Sequence, residues 1–361
     1  MKMSPVQKSQ HMQVAMYYNN NDVRLEEMPI PRIGAGELLV KVMAAGICGT
    51  DVLEWYRLKT APRVLGHEIT GIIVQTGRGI SKYREGDRIF VSHHVPCNTC
   101  KYCRAGHHTT CDTLRSTNFD PGGFSEYLRV PAQNVVDGVL KLPDEMSYEE
   151  GTFLEPLGCV LRAQRLAGLA RGQTVLVVGT GTTGLLHLQA AKVQSAGRIF
   201  ATDVISYRLE AAKRFGADHV INAKDDVASR LKELNDDSLA DLVILCTGAI
   251  PAVLQALQSV DRGGTLLFFA VPPAGVQIPV DFASLWRDEI RLQTSYGAAP
   301  QDLETALDLI KRRKINVEDM ITHRLPLRET GKGFKIVSEA KESIKVIIAP
   351  DTKLTNDAVV R

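Results

Sequence analysis

Four of the chain's seven cysteines crowd into one short stretch. Cys97, Cys100, Cys103 and Cys111 form the pattern C-x2-C-x2-C-x7-C. Thiolates on such tight turns can close a tetrahedral shell around one Zn2+, and four ligands leave no open position, so this site reads as structural. Disulfides and an iron–sulfur cluster are the rival uses. Clustered cysteines in a chain of this size with no secretion signal favour metal, in a reducing compartment read as the cytoplasm. The nearby His107 and His108 read as surface residues.

A second chemical signal lies at Val175-Leu-Val-Val-Gly179-Thr-Gly181-Thr182-Thr183-Gly184. It reads as a strand, a glycine-rich turn and a helix start. Gly179 permits the tight turn, Gly181 a close approach of backbone to a pyrophosphate, and Gly184 close packing of helix on sheet. The anion would sit on free N–H groups at the helix N-terminus, which Thr182 and Thr183 begin. Asp203 closes the next strand, at the spacing of a carboxylate that binds the adenosine ribose. An acid there repels a 2′-phosphate, so NAD is expected over NADP. Arg208 is near enough in sequence to border the adenine.

Three further fragments carry reactive side chains: Cys48-Gly-Thr50-Asp51, Gly66-His67-Glu68 and Glu155-Pro-Leu157. No spacing rule joins them. Taken singly, Cys48 reads as a small buried hydrophobe and His67 as a satisfied core histidine.

The elements that must hold these residues fall into two styles. At 361 residues, two domains are expected. The first part is β-rich, with strands near Val14–Tyr18, Glu37–Ala44, Glu68–Thr76, Asp87–Ser92 and Phe124–Val130. From Thr174 onward, short apolar strands alternate with helices, which implies a parallel sheet covered on both faces. The helix Pro300–Arg312 and two late strands, near Ile321–Arg324 and Lys345–Ile348, are too little for a domain and are expected to complete the first one. The N-terminal residues to Gln13 and the tail from about Thr352 read as polar extensions. A net charge of +2, from 43 basic and 41 acidic residues, gives no reason to expect nucleic acid. No apolar run is long enough to span a bilayer.

Taken together, CGTD at 48–51, GHE at 66–68, the four-cysteine lobe, EPL at 155–157 and GTGTTG at 179–184 resemble the zinc-dependent medium-chain alcohol dehydrogenases, nearest the sorbitol (iditol) and threonine dehydrogenase branch. The resemblance runs from about Val14 to Ala349. It implies an α/β protein in two parts. A β-rich GroES-like catalytic domain would take residues 1–159 and 298–361, with a zinc lobe at 95–113. A doubly wound Rossmann domain would take 160–297, with the active site in the cleft between the two.

By matching motif, the resemblance makes Cys48 and His67 ligands of a catalytic zinc, with Glu68 and Glu155 as acids that bind the metal or its water. It implies two Zn2+ per chain, NAD(H), and a small secondary alcohol or polyol as substrate. Zinc would act as a Lewis acid on the alcohol, and Thr50 would be the first stop for its proton. The alternatives are a threonine-type hydroxy amino acid dehydrogenase and a noncatalytic NAD- and zinc-binding protein. Two departures stand out. Leu53 occupies the position where many relatives relay the proton through histidine. The segment between Cys48 and His67 is also short, and places Trp55 and Tyr56 as candidate pocket residues. The edge strands Thr265–Ala270 and Ile290–Thr294 point to a homodimer or homotetramer.

Overall fold

The computed structural model describes residues 10–270 and 272–350. The polar tail from Thr352 and most of the N-terminal extension lie outside the described residues. His11–Gln13, read from sequence as extension, already belong to the first strand.

The chain divides into two compact units. One takes the stretch up to Glu155, Ala299–Leu307 and the stretch from Val317 onward; the other takes Pro156–Ala298 and Asp308–Asn316.

The first unit carries β1 (His11–Asn19), β2 (Asp22–Pro29), β3 (Leu38–Gly46), β4 (Arg63–Val64), β5 (Glu68–Thr76), β6 (Arg88–Ser92), β7 (Tyr127–Val130) and β8 (Val139–Lys141). A three-stranded sheet runs β2-β1-β4. The larger sheet is built on the antiparallel β3–β5 pair. β3 reads Leu-Leu-Val-Lys-Val-Met-Ala-Ala-Gly and is almost wholly buried. Such a run forms a strand because both its faces are covered, so alternation with polar residues is not needed. The core gathers β-sheet side chains with Tyr17, Phe124 and Phe334, whose rings meet at 5.6 Å and 5.8 Å. Phe334 comes from the late helix Thr330–Glu339.

The second unit holds β9 (Val175–Val178), β10 (Ile199–Asp203), β11 (His219–Asn222), β12 (Ala240–Leu245), β13 (Val260–Phe268) and β14 (Arg291–Thr294). All pairings in this sheet are parallel, in the order β11-β10-β9-β12-β13-β14. The order reverses direction beside β9, where a doubly wound sheet places its ligand crevice. Every residue of β9 is buried. Of the two segments expected as edges, only β14 is one. Thr265–Ala270 overlaps the end of β13, which hydrogen-bonds to β12 and β14, because the apolar run reads alike for an inner strand and a protected edge.

The last two strands, β15 (Ile321–Pro326) and β16 (Lys345–Ala349), belong to the first unit, whereas the helix Pro300–Lys311, expected there whole, is divided, its residues after Leu307 falling in the second. β16 enters between β15 and β3, pairing parallel to one and antiparallel to the other. No helix among the described residues is long and apolar enough to cross a membrane.

Candidate active site

The β3–β5 register pairs Gly46 with Glu68. Chain leaving β3 and chain entering β5 therefore meet at one end of the sheet, and Cys48 and His67 with them. The dispersed motifs converge there: Cys48, His67 and Glu68 each offer a ligand atom within 4.8 Å of the others. Sulfur, imidazole and carboxylate with room for a further ligand suit a catalytic zinc. Glu155, expected to join them, is not in that group among the described residues.

Around this set the turn Gly49–Val52 is tightly wired. The Cys48 sulfur accepts from the Thr50 N–H at 3.4 Å and lies 3.3 Å from the Thr50 hydroxyl. Asp51 is fully buried. Its carboxylate accepts from the Cys48 N–H at 3.1 Å, from Arg57 at 3.1 Å, and faces His67 Nδ1 at 3.4 Å. A carboxylate on the far nitrogen of a ligand histidine fixes ring orientation and tautomer. Burial opposes charge on Asp51, but His67, Arg57 and the Cys48 N–H hold it below the usual carboxylate range. Burial likewise opposes a charged His67, and Asp51 and Cys48 together overcome it, raising the imidazole well above its ordinary value. A divalent cation between Cys48 and the ring would replace that proton.

Glu68 is held from behind by Lys345 on β16, and both are about 1% exposed. Lys345 also reaches the Ile47 carbonyl at 3.4 Å. A side chain at Gly46 would strike both the Glu68 carboxylate and the Lys345 chain, so only glycine fits there.

Sequence reasoning missed Arg57, Lys345 and a histidine pair. The β5–β6 register sets Glu68 opposite Ser92, which carries His93 and His94 to the same end of the sheet. The His93 ring lies 4.9 Å from His67 and 3.8 Å from His94. Burial, then His67 and Arg57, push His94 down to about 4, and His93 falls well below its usual value, so both are neutral near pH 7. The strand register was the available signal, since His93 follows directly on a strand readable in sequence.

In the cysteine lobe, the Cys100–Cys103 sulfurs are 3.5 Å apart and the Cys97–Cys111 sulfurs 3.6 Å. A tetrahedron with Zn–S bonds of 2.3 Å has edges of about 3.8 Å. The four sulfurs thus fit a closed tetrahedral site. Hydrogen bonds from Thr99 and the Cys100 N–H lower the Cys97 thiol to about 5, whereas burial and its sulfur neighbours push Cys103 up to about 12. No cysteine is in a disulfide.

In the second unit the glycine turn joins β9 to the helix Thr182–Val193. Gly179 has φ +91°, and a side chain at Gly184 would collide with the Gly179 carbonyl. Around Gly181 the nearest protein atoms are those of the Arg208 guanidinium, 3.9 Å from where a Cβ would stand. Asp203 is 7% exposed and braces the turn, accepting from the Thr180 N–H at 2.8 Å, the Thr180 hydroxyl at 3.1 Å and the Ile205 N–H at 3.0 Å. The buried Arg208 Nε has no partner among the described residues.

A β-rich unit with a closed cysteine lobe and a Cys–His–Glu set, in one chain with a unit built on a doubly wound sheet, defines a metal-dependent dehydrogenase. The chain belongs to the zinc-dependent medium-chain dehydrogenases: residues 34–144 match the alcohol dehydrogenase GroES-like domain and residues 182–312 the zinc-binding dehydrogenase family. It is an oxidoreductase of that family. It is 31% identical to sorbitol dehydrogenase of Bacillus subtilis (strain 168), covering 95% of this chain and 98% of that one. It is 34% identical to L-threonine 3-dehydrogenase of Pyrococcus abyssi, covering 89% and 91% respectively. A solved zinc-binding dehydrogenase of Sinorhizobium meliloti 1021, bound to NADP, superposes with a TM-score of 0.84 at 28% identity, covering 95% of this chain and all of that one.

Proposed function

We propose that this protein oxidises a secondary alcohol or polyol with NAD+, or runs the reverse reduction. The convergence of Cys48, His67 and Glu68 beside the Thr50 hydroxyl carries this reading. Cys48 and His67 hold the catalytic zinc, Glu68 and Glu155 serve the metal or its water, and the four-cysteine lobe holds a second, structural zinc. When bound, zinc acts as a Lewis acid on the alcohol oxygen. Asp51 orients His67, and Thr50 hydrogen-bonds the alcohol.

The glycine turn, with Gly179, Gly181, Thr182, Thr183 and Gly184, cradles the pyrophosphate. Asp203 favours NAD: its carboxylate is anchored by Thr180 and Ile205, and a 2′-phosphate beside it would meet a fixed negative charge. Arg208 borders the adenosine. Seven free cysteines suit a reducing compartment such as the cytoplasm. The β14 edge, with Trp286 83% exposed on the neighbouring helix Phe282–Arg287, supports self-association as a dimer or tetramer.

The threonine dehydrogenase relative supports a second reading, a hydroxy amino acid as substrate. The test is reduced-cofactor formation with NAD+ and NADP+ across polyols, cyclic and simple secondary alcohols and L-threonine, with chelator controls. Turnover with NAD+ on one alcohol class, lost on chelation, is expected. Turnover with L-threonine alone selects the second reading. Silence throughout, with about two zinc ions bound per chain, selects a noncatalytic protein.

A further inference from the structure

Arg57 ends the single-turn helix Glu54–Arg57, which follows the Cys48 turn. Its guanidinium folds back over that turn. Nε donates to the Thr50 carbonyl at 2.9 Å, while Nη2 reaches the Thr50 hydroxyl at 3.2 Å and Asp51 Oδ1 at 3.1 Å. The side chain is only 15% exposed, and its charge lies 4.9 Å from the centre of the Tyr56 ring. One planar fork thus ties the hydroxyl beside the metal set to the carboxylate that orients His67. Lysine, a point charge, cannot span three acceptors in this way.

We propose that Arg57 is a positioning residue of this site: it fixes the Thr50 hydroxyl and the Asp51 carboxylate together, and its permanent charge favours the deprotonated state of the alcohol that Thr50 contacts. The proposal rests on the reading of Cys48 and His67 as zinc ligands and of Thr50 as the substrate-side hydroxyl. The chemistry at Thr50 supports it. Among described residues the hydroxyl's polar neighbours are the Cys48 sulfur and Arg57. Leu53, where relatives relay a proton, has no acceptor, and a guanidinium donates only. A cation that cannot carry the proton can still stabilise the charge left behind when the proton departs. Arg57 therefore works by field and geometry and takes no part in proton transport.

The test compares Arg57→Gln, Arg57→Lys and Arg57→Ala in the full-length chain. Without substrate, competition with a chromogenic chelator reads the more weakly held of the two zinc ions. Arg57→Gln should weaken it about 10–100-fold, as loss of a partner behind the ligands does. In turnover, kcat/KM should fall by a similar factor, and the ionisation governing its pH profile should move up by about one unit. Arg57→Lys should resemble Arg57→Gln in metal affinity, because the fork is lost, but should keep most of the wild-type pH profile, because the charge remains. Arg57→Ala should be partly rescued by millimolar guanidinium and not by imidazole. Unchanged metal affinity and pH profile in Arg57→Gln would overturn the proposal, as would rescue by imidazole, which would make Arg57 part of a proton path. If wild-type protein shows no turnover at all, the functional reading fails instead, and the chelator experiment still decides whether Arg57 braces the metal set.

Discussion

The cysteine lobe and the Cys48–His67–Glu68 set are both groups that could hold a metal ion, in one unit, yet they are assembled in opposite ways. The lobe is local. Its four sulfurs come from one stretch, positioned by short turns and the single-turn helices Lys101–Arg104 and Asp112–Ser116, with Leu114 buried beneath them. The other set is global. Its members come from two strand ends, its carboxylate is held by a lysine from the far end of the chain, and its histidine is oriented through Asp51. A local site saturates its metal and can be rigid in isolation. A global site leaves room for substrate, and its geometry is only as good as the sheet register that brings it together.

The sharpest way to break this contrast is to exchange damage between the sites. Cys48→Ala should lower kcat/KM at least about 10³-fold, since loss of the Lewis acid removes several kcal/mol of charge stabilisation. It should leave one zinc per chain and little change in thermal midpoint. Cys103→Ala should do the reverse, exposing residues 95–113 to protease and releasing the other zinc. If Cys48→Ala also unfolds the unit, the two sites are not separable. Next in size is Lys345→Met. It leaves a buried Glu68 charge unpaired, at a cost of about 3–5 kcal/mol, measurable by denaturant titration. Lys345→Met with Glu68→Gln should recover much of that loss; failure to recover would mean the pair does not interact as drawn.

Smaller, and directed at the acid absent from the converged set, is Glu155→Gln. A role in holding the zinc water predicts roughly a 10–100-fold fall in turnover, and near-normal turnover would remove Glu155 from the machinery. The smallest effect is in the pH dependence of chelated protein. His67 is raised in the folded state, so its contribution is complete below about pH 6.5 and is lost as pH rises through the raised value. Metal-free protein should therefore lose stability as the solution is made alkaline, and zinc should flatten that slope.

The same contrast explains what the sequence made legible. The lobe and the glycine turn are short, and their chemistry follows from spacing alone. Cys48, His67 and Glu68 were recognisable only as a family resemblance, because nothing between residues 48 and 67 encodes their meeting; the β3–β5 register does. Arg57 and Lys345 were invisible for a related reason. A charged residue in sequence reads as solvated, and their burial depends on partners supplied by Asp51 and Glu68. The main β-strands of both units were foreseen from apolar runs. The helices Val227–Leu234, Ile250–Ser259 and Thr330–Glu339 were not, since at eight to ten residues each offers only two or three turns of pattern. Pro156 sits in the first turn of Leu154–Ala167, where a missing N–H costs nothing.

The insertion of β16 beside β3 has a consequence in time. Glu68 leaves the ribosome 277 residues before Lys345 does. At about 5–20 residues per second, that is roughly 15–55 s in which the nascent chain holds a buried-to-be carboxylate without its counter-charge. The cysteine lobe can take up metal in that interval. The Cys48–His67–Glu68 set cannot reach its final form until β16 has been made, so a chain stalled short of it would keep the cysteine lobe and lack the lysine that pairs with Glu68.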